Sequence, residues 1–171
     1  WKDDMMHGKG IYEFKNGDKY EGEYSVGERT GQGIFIYADK RKYIGQFKNG
    51  LMNGFGAYSW PDGSKYEGYW TDDKQNGRGK FISSTGDSYD GEWTNGMMNG
   101  EGVLRLADGT KFKGFFKNGL RHGKCIEESK EGIRFEGTYK EDKRDGAYTE
   151  RDKDGNIIRQ GFYKNGYLES K

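Results

Sequence analysis

The sequence predicts an all-β chain. It should be an elongated, single-layer, twisted antiparallel β-meander of 23-residue hairpin repeats, a solenoid-like rod. Three observations predict it. Glycine recurs every 23 residues at Gly8, Gly31, Gly54, Gly77, Gly100, Gly123 and Gly146. Two further glycine series keep the same period, Gly22 to Gly137 and Gly10 to Gly102. Aromatic residues keep it too, as Tyr20, Tyr43, Tyr66, Tyr89, Phe112 and Phe135, and as Trp1, Tyr24, Phe47, Trp70, Trp93, Phe116 and Tyr139. A fixed period of this length is the mark of a repeat architecture.

Each repeat reads as a hairpin. In Tyr20-Glu21-Gly22-Glu23-Tyr24 apolar and polar residues alternate, which is strand periodicity. Residues 25–30 are expected to be a loop containing Gly27. A second alternating run follows through Gly31, Gly33, Phe35 and Tyr37. Asp62-Gly63, Asp108-Gly109, Asp154-Gly155 and Asn16-Gly17 then mark tight turns between strands, with positive φ expected at both central residues. Asp39-Lys40-Arg41 lacks glycine, so that turn is expected to differ. Strand, loop, strand and turn repeat without a crossover, which gives an antiparallel meander.

These periods divide the chain as one domain, 1–171. A half-repeat covers 1–19, full repeats start at 20, 43, 66, 89, 112 and 135, and a half-repeat or cap covers 159–171. The sixth repeat is one residue longer, so its successor reads Gly161, Phe162, Tyr163, Gly166. The chain opens at Trp1 inside a repeat, as expected of a piece of a longer polypeptide.

Alternation assigns two faces. One carries Tyr20, Gly22, Tyr24, Gly31, Gly33, Phe35 and Tyr37; the other carries Glu21, Glu23, Gln32, Ile34 and Ile36. Glycine weakens a strand unless something packs on it, so a neighbouring ring is expected to lie over the bare backbone. Two strands per repeat advance the sheet by ~10 Å, which makes a rod of roughly 65–75 Å.

Composition excludes several functions. The chain holds 29 Lys and Arg against 28 Asp and Glu. Nucleic acid selects a basic face, so none is expected as a partner. No apolar run approaches the ~20 residues of a membrane helix, and no secretory signal precedes the pattern. Cys125 stands alone, so an intrachain disulfide is excluded. Catalysis needs converging groups. His7 and His122 lie five periods apart and occupy a polar turn slot. Gly8-x-Gly10 and its copies precede strands, whereas a phosphate loop precedes a helix. No enzyme activity, cofactor or metal is expected.

The unit Tyr-x-Gly-x-aromatic, loop, Gly-x-Gly and Asp-Gly resembles the MORN (membrane occupation and recognition nexus) repeat family. Tyr66-Glu67-Gly68-Tyr69-Trp70 with Gly77-Arg78-Gly79, and Tyr89-Asp90-Gly91-Glu92-Trp93 with Gly100-Glu101-Gly102, carry the likeness best. It weakens after residue 124, where Cys125 replaces a glycine, Glu127 and Glu128 replace apolar residues, and Arg159 replaces an aromatic. The resemblance implies a scaffold in cytoskeletal or ciliary assemblies, at membranes, or beside catalytic domains, with a partner helix held in an aromatic groove.

A single-layer sheet leaves its aromatic face uncovered, and a contiguous apolar stripe marks a binding surface. The expected function is a non-catalytic protein-interaction scaffold that binds an amphipathic helix. The anchors are Tyr24, Phe35, Tyr37, Phe47, Tyr58, Trp60, Trp70, Phe81 and Trp93. Self-association is expected through the N-terminal edge strand around Ile11 and Tyr12. Weaker alternatives are tethering to anionic lipid through basic residues such as Lys40, Arg41 and Lys42, and regulation of an attached enzyme. The expected location is cytoplasmic, on cytoskeleton or cilium, or peripheral to a membrane.

Overall fold

The computed structural model describes residues 5–170. Trp1, which begins one aromatic series and the expected N-terminal edge, lies outside the described residues. Strand β1 (Gly8–Glu13) is followed by five regular hairpins. They are β2 (Lys19–Ser25) with β3 (Glu28–Ile36), β4 (Lys42–Lys48) with β5 (Leu51–Ser59), and β6 (Lys65–Thr71) with β7 (Lys74–Ile82). Then come β8 (Ser88–Thr94) with β9 (Met97–Arg105), and β10 (Lys111–Lys117) with β11 (Leu120–Glu128). The sixth hairpin is interrupted: β12 (Arg134–Lys140), β13 (Lys143–Arg144) and β14 (Gly146–Arg151). Strands β15 (Ile157–Lys164) and β16 (Tyr167–Leu168) end the series. They form one open, twisted antiparallel sheet whose strand order follows chain order, with β13 paired beside β12.

The chain divides into two compact units. One runs to Ser84 and takes in Thr94–Gly96; the other comprises Thr85–Trp93 and Met97 onward.

The two kinds of turn are the reverse of the sequence expectation. Within each repeat the expected six-residue loop is a two-residue turn, so β3 already begins at Glu28. Its central pairs have positive φ at both positions, as at Val26/Gly27, Asn49/Gly50, Asp72/Asp73 and Asn118/Gly119. This is the turn whose twist matches paired strands. Between repeats the Asp-Gly turns use positive φ at the glycine only, as at Gly63 (94°) and Gly109 (95°). There Gly63 N–H donates to Trp60 O (3.1 Å) and Trp60 N–H to Ser64 O (3.0 Å), a three-residue loop closed by a left-handed residue. The turn at Asp39-Lys40-Arg41 does not differ. Lys40 takes the glycine's place at φ 72° and donates to Tyr37 O at 2.9 Å.

The glycine series answer two physical needs. Gly54, Gly77, Gly100 and their equivalents adopt positive φ where the hairpin register slips, as between Gly68 and Trp70. In the four repeats from Tyr20 to Gly102 the other two series lie under tyrosine rings, whereas Gly114 faces Cys125, Gly137 lies under Phe135, and nothing lies within 4 Å of a Cβ at Gly10. Gly45 pairs with Gly56 across β4 and β5, and a Cβ at Gly45 would fall 2.5 Å from Tyr43 Oη. The expected ring-over-backbone packing is therefore present. The tyrosines are fixed by donating to the carbonyl three residues on: Tyr20 to Glu23, Tyr43 to Gln46, Tyr66 to Tyr69 and Tyr89 to Glu92, at 2.9–3.1 Å.

Neighbouring repeats are also tied at their turns. The second residue of each two-residue turn donates its N–H to the preceding repeat. In the N-terminal unit these bonds are Gly27 to Met6, Gly50 to Arg29, Asp73 to Met52 and Gly96 to Gln75. In the C-terminal unit they are Gly119 to Met98, Asp142 to Arg121 and Gly166 to Arg144. All seven span 2.8–3.1 Å.

The extra residue of the sixth repeat is taken up in β15. Arg151 opposes Ile157 while Glu150 opposes Arg159, which leaves Ile158 as a bulge. The turn keeps its geometry, with Gly155 N–H on Asp152 O at 3.0 Å.

Candidate partner-binding face

Alternation sends the rings to one face, where they form two connected rows in the N-terminal unit. The inner row runs Tyr24, Tyr20, Phe47, Tyr43, Trp70, Tyr66 through edge-to-face contacts at 5.1–5.5 Å. The outer row runs Tyr12, Phe14, Phe35, Tyr37, Tyr58, Trp60, Phe81 with centroids 4.6–6.0 Å apart. Tyr58 and Trp70 join the rows at 5.7 Å. The C-terminal unit continues the inner pattern as Trp93, Tyr89, Phe116, Phe112, Tyr139, Phe135 and Tyr148.

Burial separates the nine expected anchors into two groups. Tyr24, Phe35, Phe47, Tyr58, Trp70 and Trp93 are buried, each no more than 8% exposed. Only Tyr37, Trp60 and Phe81 stay half-buried. The aromatic stripe is thus less open than the alternation implies. The structure brings Tyr37, Trp60 and Phe81 together in the outer row of the N-terminal unit; Trp93 belongs to the other unit.

The cover comes from a further 23-residue series that the sequence reading passed over: Met6, Arg29, Met52, Gln75, Met98, Arg121 and Arg144. Its three arginines, Arg29, Arg121 and Arg144, lie over the rings. The Arg29 guanidinium lies 4.7 Å from the Phe35 ring and 5.5 Å from Phe47, and it donates to Gly50 O. Met52 is itself buried. Arg121 sits 4.5 Å over Tyr139, and Arg144 3.9 Å over Phe135. Long side chains cover apolar surface with their stems while the heads stay polar. The signal was present in the sequence, as flexible residues at a constant offset from the glycines.

In the C-terminal unit the outer row changes chemistry. The slots held by Phe35, Tyr58 and Phe81 hold Glu127 and Glu150. Both carboxylates are sheltered, 20% and 14% exposed, and Arg144 bridges them at 3.3 and 3.6 Å. Tyr139 donates to Glu127 Oε2 at 2.5 Å, Arg121 pairs with Asp142 at 3.0 Å, and Arg159 reaches Glu150 at 3.8 Å. Burial, then the bond to Glu127, pushes the Tyr139 hydroxyl up to about 12. Burial likewise pushes the Cys125 thiol up to about 12, so it stays protonated and poorly nucleophilic. Of the repeat-breaking residues after 124, Glu127 and Arg159 thus join Arg144 and Glu150 in one ionic network where rings were due.

Among the described residues no group of three or more His, Cys, Asp or Glu is placed to hold a metal ion, and no helix is long and apolar enough to cross a membrane. His7 and His122 lie in different units.

Tandem 23-residue hairpins with rings on one face define a β-repeat protein. The MORN repeat matches residues 1–19, 20–40, 43–65, 66–88, 89–111, 112–134 and 135–147, and the chain belongs to the MORN repeat family. No curated protein matches it in sequence. Solved structures resemble it in fold. The TCP domain of SAS-4 (dCPAP) from Drosophila melanogaster, solved in complex with a proline-rich motif of Ana2 (dSTIL), is 11% identical with a TM-score of 0.57. The alignment covers 96% of this chain and 85% of that one. The TCP10c domain of Drosophila melanogaster Sas-4 gives 11% and 0.53 over 92% and 93%. The G-box domain of the microcephaly protein CPAP gives 13% and 0.51 over 92% and 100%. At these identities the likeness is one of fold.

Proposed function

We propose that this chain is a non-catalytic protein-interaction scaffold whose partner segment lies along the outer aromatic row of the N-terminal unit. The observation that carries this is the Tyr37–Trp60–Phe81 margin. Its rings stay half-buried, while the inner rings are buried, with Arg29 lying over Tyr20 and Phe47. Tyr and Trp are the commonest interface anchors.

The occupant we favour is an amphipathic helix. The row advances roughly 9.6 Å per repeat, two strand spacings. Seven helical residues rise roughly 10.5 Å. One heptad per repeat thus sets successive apolar residues over Tyr37 and Trp60 and then beside Phe81, which stands two residues short of their slot in the next repeat. An extended proline-rich segment is the second reading. Three polyproline residues rise roughly 9.3 Å, and a solved structure of this fold holds such a motif. Cytoskeletal assemblies are the setting that the fold neighbours favour, since the CPAP G-box structure bears on centriole elongation.

Self-association through β1, where Ile11 and Tyr12 are exposed, would add a second contact. A lipid-tethering role has less support. In the Lys40-Arg41-Lys42 run, Arg41 pairs with Asp39 at 2.7 Å and lies over Tyr37. Regulation of an attached enzyme would use the same partner face.

Fluorescence anisotropy with two labelled peptides tests the reading, one an amphipathic heptad helix and one a proline-rich segment. Trp60→Ala with Phe81→Ala should weaken the bound peptide about tenfold or more, with the β spectrum retained. Binding of the proline-rich peptide alone would select the second reading. Binding of neither, or no effect of the double variant, would remove the proposed site.

A further inference from the structure

The face opposite the rings carries a charge pattern that the aromatic reading does not use. In the C-terminal unit the cross-strand register aligns Arg105, Lys111, Glu128, Arg134 and Arg151 in one row over β9, β10, β11, β12 and β14. The row lies opposite the rings because Phe112 and Phe135, adjacent in sequence to Lys111 and Arg134, are buried on the ring face. Arg105 stands directly across from Lys111, and Arg134 directly across from Arg151. Like charges facing each other across a strand pair destabilise a sheet.

The N-terminal unit avoids this. Its equivalent row reads Glu13, Lys19, Ile36, Lys42, Ser59, Lys65, Ile82, so every lysine is separated from the next by an uncharged residue. There Lys19 also pairs with Glu13 at 3.6 Å. In the C-terminal row Arg134 pairs with Glu136 at 2.9 Å and Arg151 donates to Gly155 O. Among the described residues Arg105 and Lys111 have no carboxylate within salt-bridge range, and both are exposed. Nearby Asp108 is turned into its own loop, accepting from Thr110 N–H at 2.8 Å.

We infer that this row is a second docking surface, for an acidic helix of a partner protein. Charge complementarity selects the occupant. Strands lie roughly 4.8 Å apart, and a helix advances roughly 5.4 Å per turn. One helical turn per strand therefore places acidic side chains over Arg105 and Lys111, a basic one over Glu128, and acidic ones over Arg134 and Arg151. The single carboxylate in the row fixes register and direction, because a helix displaced by one turn meets a like charge. The repulsion tolerated in the free sheet is relieved when the partner's carboxylates arrive.

The test uses the full chain and a synthetic helical peptide with the order acid, acid, base, acid, acid at one-turn intervals. Its controls are a peptide of the same composition with the basic position moved to one end, and vesicles of phosphatidylserine and phosphatidylcholine. The patterned peptide should bind with an affinity that falls as salt rises. Lys111→Thr with Arg134→Thr should weaken it about tenfold or more while raising the melting temperature, because both opposed pairs are relieved. Trp60→Ala should leave it unchanged. Equal binding of both peptides, binding only to vesicles, no binding, or indifference to the double variant would each overturn the inference.

Discussion

The Tyr43 phenol lies across Gly45 so closely that a Cβ there would fall 2.5 Å from Tyr43 Oη, while the hydroxyl donates to Gln46 O at 2.9 Å. The ring cannot retreat without breaking that bond. Gly45→Ala should therefore destabilise the chain by about 1–3 kcal/mol, as overpacking does. Gly10→Ala is the control, because a Cβ at Gly10 meets nothing within 4 Å. Its effect should stay within about 0.5 kcal/mol. Urea midpoints of the two variants make the comparison; equal losses would show that ring contact is not what selects glycine.

Lys40 holds a left-handed conformation, φ 72°, in a turn whose equivalents use glycine. A left-handed L-residue costs about 1–2 kcal/mol, less the backbone entropy that glycine loses on folding. Lys40→Gly should thus raise the melting temperature by a few degrees. Gly63→Ala, at φ 94°, should lower it. Calorimetry on both variants checks the opposed signs.

Alkali should unfold the chain through its tyrosines. Burial raises the hydroxyls of Tyr20 and Tyr89 to about 12, and those of Tyr43 and Tyr66 further. The buried neutral form is favoured, so this stabilisation is complete below pH 10, the ordinary tyrosine value. It declines as pH rises through 10 and is lost near 12 for Tyr20 and Tyr89, and higher still for Tyr43 and Tyr66. Phenolate absorbance and the far-UV β signal should change together above pH 10. A tyrosine titration complete at pH 10 with the β signal intact would contradict the burial argument.

Arg144 joins Glu127 and Glu150 at 3.3 and 3.6 Å, in slots that the first two repeats fill with Met52, Phe35 and Tyr58. Arg144→Met alone leaves two sheltered carboxylates short of a partner and should cost about 1–3 kcal/mol. Adding Glu127→Tyr and Glu150→Phe should recover most of the loss, since replacing a sheltered ionic cluster with apolar groups is often neutral or favourable. Urea denaturation of the single and triple variants decides it; additive losses would show that the network is not interchangeable with rings.

The period of 23, the strand alternation and the ring-bearing face were legible in the sequence by itself. Each rests on local chemistry: side chains alternate at period 2, and glycine recurs where a ring or a left-handed residue demands it. The ionic network was legible only as a departure, Glu127 and Arg159 standing where rings were due. The tertiary structure decided which turn takes positive φ at two positions and which at one, because that depends on the twist of the strands being joined. It also decided how much of the aromatic face stays open. Arg29 and Arg144 come from strands paired with those that carry the rings, so their cover over Phe47 and Phe135 exists only after pairing. The opposed cations Arg105 and Lys111 lie six residues apart in sequence, and Arg134 and Arg151 lie seventeen. Only the register across the turns sets them face to face.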